Sequence, residues 1–252
     1  MKIDLNCDMG EGFGAYSIGR DDLVMPHITS ANVACGFHAS DPLTMWKTVQ
    51  MAKACGVAVG AHPSYPDLVG FGRRNMDASP DEVHSDVLYQ IGALWALCRR
   101  EGVRLQHVKP HGALYNTAAV NTAVAAAIAS AIQAVDPELI MVCLSNSRMV
   151  EAAQAAGIRC VEEVFADRAY TREGKLVPRS QPGAVIHDAQ QAAERVLAMV
   201  RDRQVIAIDG TPVPLKAQTV CVHGDTTEAI EMVRCIRARL EAEHVELKAF
   251  GA

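Results

Sequence analysis

The chain has 252 residues, half of them apolar, and 24 Lys and Arg against 29 Asp and Glu give a formal net charge of −5. That length can bury a large core and suits one (β/α) barrel domain spanning 1–252 better than two smaller units. Acids and bases are interspersed without a basic run, so nothing favours a nucleic-acid or membrane partner over small-molecule or protein ligands. The eight cysteines include no C-x-x-C pair. Most sit inside apolar runs (Cys55, Cys98, Cys143, Cys160, Cys221, Cys235) and read as buried free thiols of a reducing compartment. A strand pattern begins at once in MKIDLNCD, leaving no signal peptide, and no apolar run approaches the roughly 18 residues of a membrane span, so the expected location is cytoplasmic.

Short β-like runs alternate with helical patterns from end to end, the signature of parallel strands joined by crossover helices. Strands are expected near Lys2 to Cys7, Ile28 to Ala34, Val57 to Ala61, Gln106 to Lys109, Leu139 to Leu144, Arg159 to Glu163 and Thr219 to Val222, seven in all. Between them, Asp41-Pro42 opens a helix that Gly56 closes, and Ser79, Pro80 and Glu82 form a capping box before a stripe of Val83, Val87, Leu88, Ile91, Leu94, Trp95 and Cys98. A long alanine-rich helix, with Val124, Ile128, Ile132 and Val135 on its core face, ends at Asp136-Pro137. A last helix carries Ile230, Val233, Ile236 and Leu240 behind a capping box of Asp225 and Glu228. Two stretches break the alternation. Phe165 to Gly183 is polar and long enough to be a functional loop or a lid over the site, and IAIDGTPVPL reads as a hairpin turned at Asp209 and Gly210.

In a parallel barrel the carboxyl ends of the strands meet on one face, so the polar residues just beyond them are candidates for one site. VKPHGALYN, from Val108 to Asn116, is a strand stopped abruptly by Pro110 and Gly112 with Lys109 and His111 at its mouth. The plain alternative is a β-to-α loop holding a surface lysine and a helix-capping histidine. Asp4, Asn6 and Asp8 alternate along the first strand and share a face, as a binding row or as a satisfied polar network. His38 with Asp41, His62, His111, and His223 with Asp225 put four histidines after four different strands, where imidazoles serve as ligands or proton carriers. His84, His187 and His244 read as surface residues, and His27 and His107 carry no assignment. Such histidines and carboxylates can hold a divalent metal, although no local spacing such as H-E-x-x-H marks one. There is no Walker-type phosphate loop; Gly10 to Gly14, GEGFG, can wrap an anion with its amides.

Six ordered motifs, NCDMGEGFG, NVACGFHASDP, GAHPSYPDLVGFGRR, VKPHGALYN, FADRAY and CVHGDT, spread from residue 6 to residue 226 and closely resemble those of the LamB/YcsF family. The resemblance implies a seven-stranded β/α barrel akin to the glycoside hydrolase/deacetylase superfamily. It also implies cleavage of 5-oxo-L-proline to L-glutamate coupled to hydrolysis of ATP, with Mg accompanying ATP and two partner subunits, B and C. Ser40 and Ser64 stand where the family more often has glycine, and Gln218 where it has aspartate.

A five-membered lactam is an unreactive amide, and phosphorylation of its oxygen would make the ring carbon open to water. Such a site needs cations for the phosphoryl group, a base for water and an acid for the departing nitrogen. On that chemistry Lys109, helped by Arg73 or Arg168, stabilises phosphate or oxyanion; Asp8 or His111 is the base; and His62 and His223 are the alternatives for proton delivery. Asn6, Glu11, Asn32, His38, Asp41, Tyr115, Asp167 and Asp225 complete the expected substrate- and nucleotide-binding set. Two other classes remain open: a metal-dependent, deacetylase-like hydrolase, and a noncatalytic subunit that only presents substrate.

Overall fold

The computed structural model describes residues 1–222 and 228–251. Alternation along the first strand, β1 (Lys2–Met9), sets the architecture. Ile3, Leu5, Cys7 and Met9 are buried in the apolar layer beneath the helices, while Asp4, Asn6 and Asp8 point the other way and are buried too. A strand buried on both faces, with one of them acidic, belongs to a barrel whose interior is polar and hydrogen-bonded.

Five more strands follow in order: β2 (Ser30–Ala34), β3 (Ala58–His62), β4 (Leu105–Val108), β5 (Ile140–Leu144) and β6 (Arg159–Phe165). A small antiparallel hairpin of β7 (Gln204–Ile206) and β8 (Pro212–Pro214) precedes β9 (Thr219–Val222), and β10 (Glu246–Leu247) lies beside the start of β1. All neighbours in the main sheet run parallel. β9 pairs with both β6 and β1, which closes a seven-stranded barrel. The seven strands are those expected from the sequence, with β1 and β6 each running two residues further, to Met9 and Phe165.

Helices α1 (Asp21–Val24), α2 (Pro42–Cys55), α3 (Pro80–Glu101), α4 (Gly112–Ala118), α5 (Thr122–Val135), α6 (Arg148–Ala155), α7 (Ala189–Asp202) and α8 (Glu228–Ala242) occupy the connections. Asp41 caps α2 through the Leu43 and Thr44 amides, and Gly56 ends it in the left-handed region. Ser79 and Glu82 form the capping box of α3. The α3 stripe is narrower than expected: Val83, Val87, Ile91, Leu94 and Cys98 are buried, but Leu88 and Trp95 fall outside its arc and are exposed. The alanine-rich segment is two helices. α4 and α5 meet at 113°, and Asn121 caps the second through the Ala123 and Val124 amides. Of the expected capping box, Asp225 and the Glu228 side chain lie outside the described residues. No single helix among the described residues is long and apolar enough to cross a membrane.

The segment after β6 folds back across the barrel mouth. It is held by short antiparallel bridges, Arg168 to Val185 and Tyr170 to Leu176, and it brings Lys175 to Arg179 over the strand ends.

Candidate active site

The barrel interior fills from the bottom with hydrogen-bonded polar side chains. Asp4 accepts from the Thr29 and Ser30 hydroxyls, each at 2.6 Å, and from Thr219. Burial still dominates, pushing its carboxyl up to about 6. Above it, Asn6 Nδ2 donates to Glu163 Oε1 at 3.0 Å and to Thr219 Oγ1 at 2.6 Å. Asn32 Nδ2 donates to Asn6 Oδ1 at 2.7 Å and Asp8 Oδ1 at 2.9 Å, while its own oxygen lies 2.8 Å from His107 Nε2. Burial, then the charge of Lys109, drives the His107 imidazole down to about 3, so it is neutral and donates to Asn32.

Lys109 tops this network and is only 2% exposed. Its ammonium reaches Asp8 Oδ1, Glu163 Oε1 and Cys221 Sγ, each at 3.0 Å, with Asn6 Oδ1 at 3.3 Å. Burial opposes the charge, but Asp8, Cys221 and Glu163 outweigh it and hold the group well above the usual lysine range. Three donors against four surrounding acceptors leave the ammonium committed to the protein. Tyr115 Oη donates to the other Glu163 oxygen at 2.7 Å, and burial, then Glu163, lifts its phenol well above normal. Glu163 thus joins three candidates, although the sequence alone gives it no role.

Beside this network sits a cluster of imidazoles from consecutive strand ends. His62 ends β3, and His111 follows β4 in extended backbone, its amide donating to Pro63 O at 2.8 Å. His62 Nδ1 lies 2.6 Å from Lys109 O, and His111 Nε2 lies 2.8 Å from Phe71 O. The remaining ring nitrogens, His62 Nε2 and His111 Nδ1, face each other at 3.0 Å. His38 is wholly buried and stacks on His111 with ring centroids 3.9 Å apart. Its Nε2 is 3.7 Å from Glu11 Oε1, which is 3.8 Å from His111 Nδ1. Burial, reinforced by the neighbouring rings, drives both His38 and His111 well below the ordinary histidine range. The ligand atoms of Glu11, His38, His62 and His111 all lie within 4.8 Å of one another, close enough to hold a metal ion.

The loop after β3 fixes this cluster. Asp67 accepts from the Gly70 amide and from Arg74 Nε, each at 2.9 Å, and Phe71 adopts φ 56°, a strained conformation for a phenylalanine. That bend aims the Phe71 carbonyl at His111. The next residue is docked in turn: the Ala113 amide donates to Gly72 O at 2.8 Å.

A cavity of about 450 Å³ opens over Asp8, His62, Lys109 and His111. Tyr115 and Phe165 form part of its wall. Arg73, Arg168, Lys175 and Arg179 bring positive charge to it, and Asp8 is the one acidic side chain in its lining among the described residues. Arg168 donates to Val177 O at 2.6 Å, while its buried Nε has no hydrogen-bond partner among the described residues. Burial, with Arg179 beside it, lowers the guanidinium to about 10, still cationic near neutral pH.

Of the sequence candidates, then, Asp8, His62, Arg73, Lys109, His111, Tyr115 and Arg168 line the cavity, and Asn6, Asn32, Glu11 and His38 support them from behind. Asp167 is buried nearby but is not in the lining. Asp41 lies apart: it caps α2 and accepts from the Gly14 amide at 3.0 Å, with the Thr44 hydroxyl first among the groups that lower it to about 2. His223 and Asp225 lie outside the described residues. Ser40 takes φ 74°, the backbone region that suits the glycine expected there.

This is a seven-stranded parallel β/α barrel with a candidate active site at the carboxyl ends of its strands. Its fold is shared with a family 4 carbohydrate esterase from Streptomyces lividans, solved in complex with acetate, at a TM-score of 0.50 and 10% identity over 99% of this chain and 93% of that one, a likeness of fold alone. The chain belongs to the LamB/YcsF family, whose model matches residues 3–252. Relatives described as the A subunits of 5-oxoprolinase are 53% identical over 246 residues in Clostridium beijerinckii (98% of this chain, 96% of the relative) and 55% identical over 251 residues in Pyrococcus furiosus (100% and 98%). A crystal structure of a lactam utilization protein from Thermus thermophilus superposes with a TM-score of 0.94 at 51% identity, covering 99% of this chain and all of that one.

Proposed function

We propose that the chain is the lactam-opening subunit of an ATP-dependent 5-oxoprolinase and works with two partner subunits, B and C. The full-length likeness to subunits of that name supports the assignment. The observation that carries it to this site is the cavity itself, an acidic and imidazole floor beneath a cationic roof. 5-Oxo-L-proline is a carboxylate, and its ATP-activated form adds phosphoryl charge. Arg73, Arg168, Lys175 and Arg179 are the cations placed to receive both.

In the balanced reaction, one water opens the ring and a second is consumed in converting ATP to ADP and phosphate. Asp8 beside His62, 3.3 Å from Oδ2 to Nε2, is the base that takes a proton from the attacking water. Lys109 keeps Asp8 ionised and oriented, and its donors are taken up by Asp8, Glu163 and Cys221. It therefore acts behind the base, a role different from the phosphate contact that its position in the sequence suggests. Tyr115, whose hydroxyl donates to Glu163, is the remaining O–H group at the floor. Mg enters with ATP, and the free thiols fit a cytoplasmic setting.

The test measures glutamate and phosphate release from 5-oxo-L-proline plus ATP, using the purified chain alone, subunits B and C alone, and all three together. Glutamate only from the complete set supports the reading. Glutamate from this chain without ATP would identify a metal-dependent hydrolase instead, and undiminished turnover by a complex carrying Asp8→Asn would identify a noncatalytic, substrate-presenting subunit.

A further inference from the structure

We propose that Glu11, His38, His62 and His111 form a binding site for one late first-row divalent cation, with zinc as the fitting occupant. Two backbone carbonyls fix the tautomers of the facing rings. A backbone carbonyl only accepts, so His62 Nδ1, 2.6 Å from Lys109 O, carries a proton, and so does His111 Nε2, 2.8 Å from Phe71 O. In two neutral rings the other nitrogens are then bare lone pairs. Those are the atoms that face each other at 3.0 Å, His62 Nε2 and His111 Nδ1. Two bare acceptors at that distance repel unless a proton or a metal ion lies between them, and Asp8 Oδ2, 3.3 Å from His62 Nε2, adds negative charge that favours either.

His38 provides the second observation. It is 0% exposed, and neither ring nitrogen has a hydrogen-bond partner among the described residues. Burying an imidazole in that state costs folding free energy, so a ligand that uses the nitrogen offsets the penalty. Nε2 points toward Glu11 Oε1 at 3.7 Å, on the side of the ring where the other lone pairs converge.

Dimensions and chemistry select the ion. Four ligands at zinc bond lengths in a tetrahedron stand about 3.3 Å apart. The spacings here are 3.0 Å for His62 to His111, 3.7 Å for His38 to Glu11 and 3.8 Å for His111 to Glu11, with every pair within 4.8 Å, so the shell closes once the His38 ring, stacked parallel on His111, turns to bring its lone pair to the same point. Three imidazoles and one carboxylate suit zinc and its late first-row neighbours, whereas magnesium and calcium prefer oxygen ligands. The carbonyls of Lys109 and Phe71 fix the two tautomers by taking the distal N–H groups, as outer partners of metal-bound histidines do. Each ligand comes from a different strand end, after β1, β2, β3 and β4, which is why no short sequence spacing announces the site.

The experiment uses the full chain, stripped with a chelator, dialysed and titrated with zinc, without ATP or 5-oxo-L-proline, so its result is independent of the proposed reaction. The expected outcome is one zinc per chain by elemental analysis. Substitution by cobalt should give the intense visible absorption of a tetrahedral centre. His38→Ala and Glu11→Gln should each lower zinc affinity at least tenfold, while His187→Asn, at an exposed position, leaves it unchanged. Circular dichroism checks that each variant is folded, and if His38→Ala is not, the stoichiometry of the unaltered chain and the Glu11→Gln titration decide the matter. Zinc binding well below one per chain, or equal affinity in all variants, would overturn the proposal and leave a shared proton as the cation between His62 and His111.

Discussion

Lys109 and Asp8 form an ion pair of 3.0 Å inside the barrel, with both side chains buried and Glu163 closing the other side of the ammonium. A pair so placed stabilises less by its own attraction than by preventing either charge from being left alone. Lys109→Met leaves Asp8 and Glu163 facing each other without a cation. It should destabilise the chain by about 3–5 kcal/mol. The double variant Lys109→Met/Glu163→Gln should recover part of that loss, because one of the two stranded charges is gone. Denaturant midpoints of the two variants check this, and a loss below about 1 kcal/mol for the single variant would show that the pair is not buried in the sense argued.

Asp4 gives a pH signature. Its carboxyl is raised from 3.8 to about 6 by burial, so the folded chain holds that proton more tightly than the unfolded one. The associated stability is fully present below the unfolded value and is lost as pH rises through about 6. Asp4→Asn removes this dependence. The stability of the wild type minus that of the variant should therefore fall by about 3 kcal/mol between low pH and neutrality. Unfolding curves of both proteins across that range test it, and a difference that stays flat or rises with pH contradicts the assignment.

The residues around Asp4 also show what is legible in the sequence and what is not. Alternation of Asp4, Asn6 and Asp8 announces a polar interior because a strand's period is two. Glu163 escapes that reading, although its signal is present: Glu162 and Glu163 are adjacent in a strand and must point to opposite sides. Glu162 faces outward to Ser145 and Lys216, so Glu163 has to enter the barrel. His107 can be found in the same way, two residues before Lys109 on β4. The break between α4 and α5 is hidden by alanine, which favours helix on both sides of Asn121 and so conceals a bend set by packing. Nothing local reveals that Phe71 turns its carbonyl toward His111, since that contact joins loops 40 residues apart.

The cationic roof predicts a binding defect without a folding defect. Lys175 and Arg179 line the cavity yet are exposed, so their removal strands no buried partner. Lys175→Ala/Arg179→Ala should raise the KM for the anionic substrate by roughly tenfold at low ionic strength, with the gap narrowing as salt screens the wild-type attraction. The thermal midpoint should stay within a few degrees. KM measured across a salt series separates this from a structural effect, which would persist at high salt.

The last prediction concerns how the cluster is held. Gly112 has φ 55°, and a Cβ there would collide with the Gly72 carbonyl oxygen, the atom that accepts from the Ala113 amide. Because that oxygen is backbone in a loop tied by Asp67 and Arg74, it cannot swing aside as a side chain would. Gly112→Ala should therefore push the 70–73 loop away from α4 and carry the Phe71 carbonyl out of reach of His111. The backbone strain costs about 1–3 kcal/mol of stability. Turnover should fall far more, by roughly a hundredfold, because displacements near 1 Å at positioning residues carry that penalty. Gly92→Ala is the comparison: it lies within α3 with no atom beyond its own stretch of helix within 4 Å of the added methyl, and it should gain about 0.5–1 kcal/mol with activity unchanged. Thermal midpoints and turnover measured on both variants decide the point. If Gly112→Ala keeps near-normal turnover, the contact between the loop and α4 is not what positions His111.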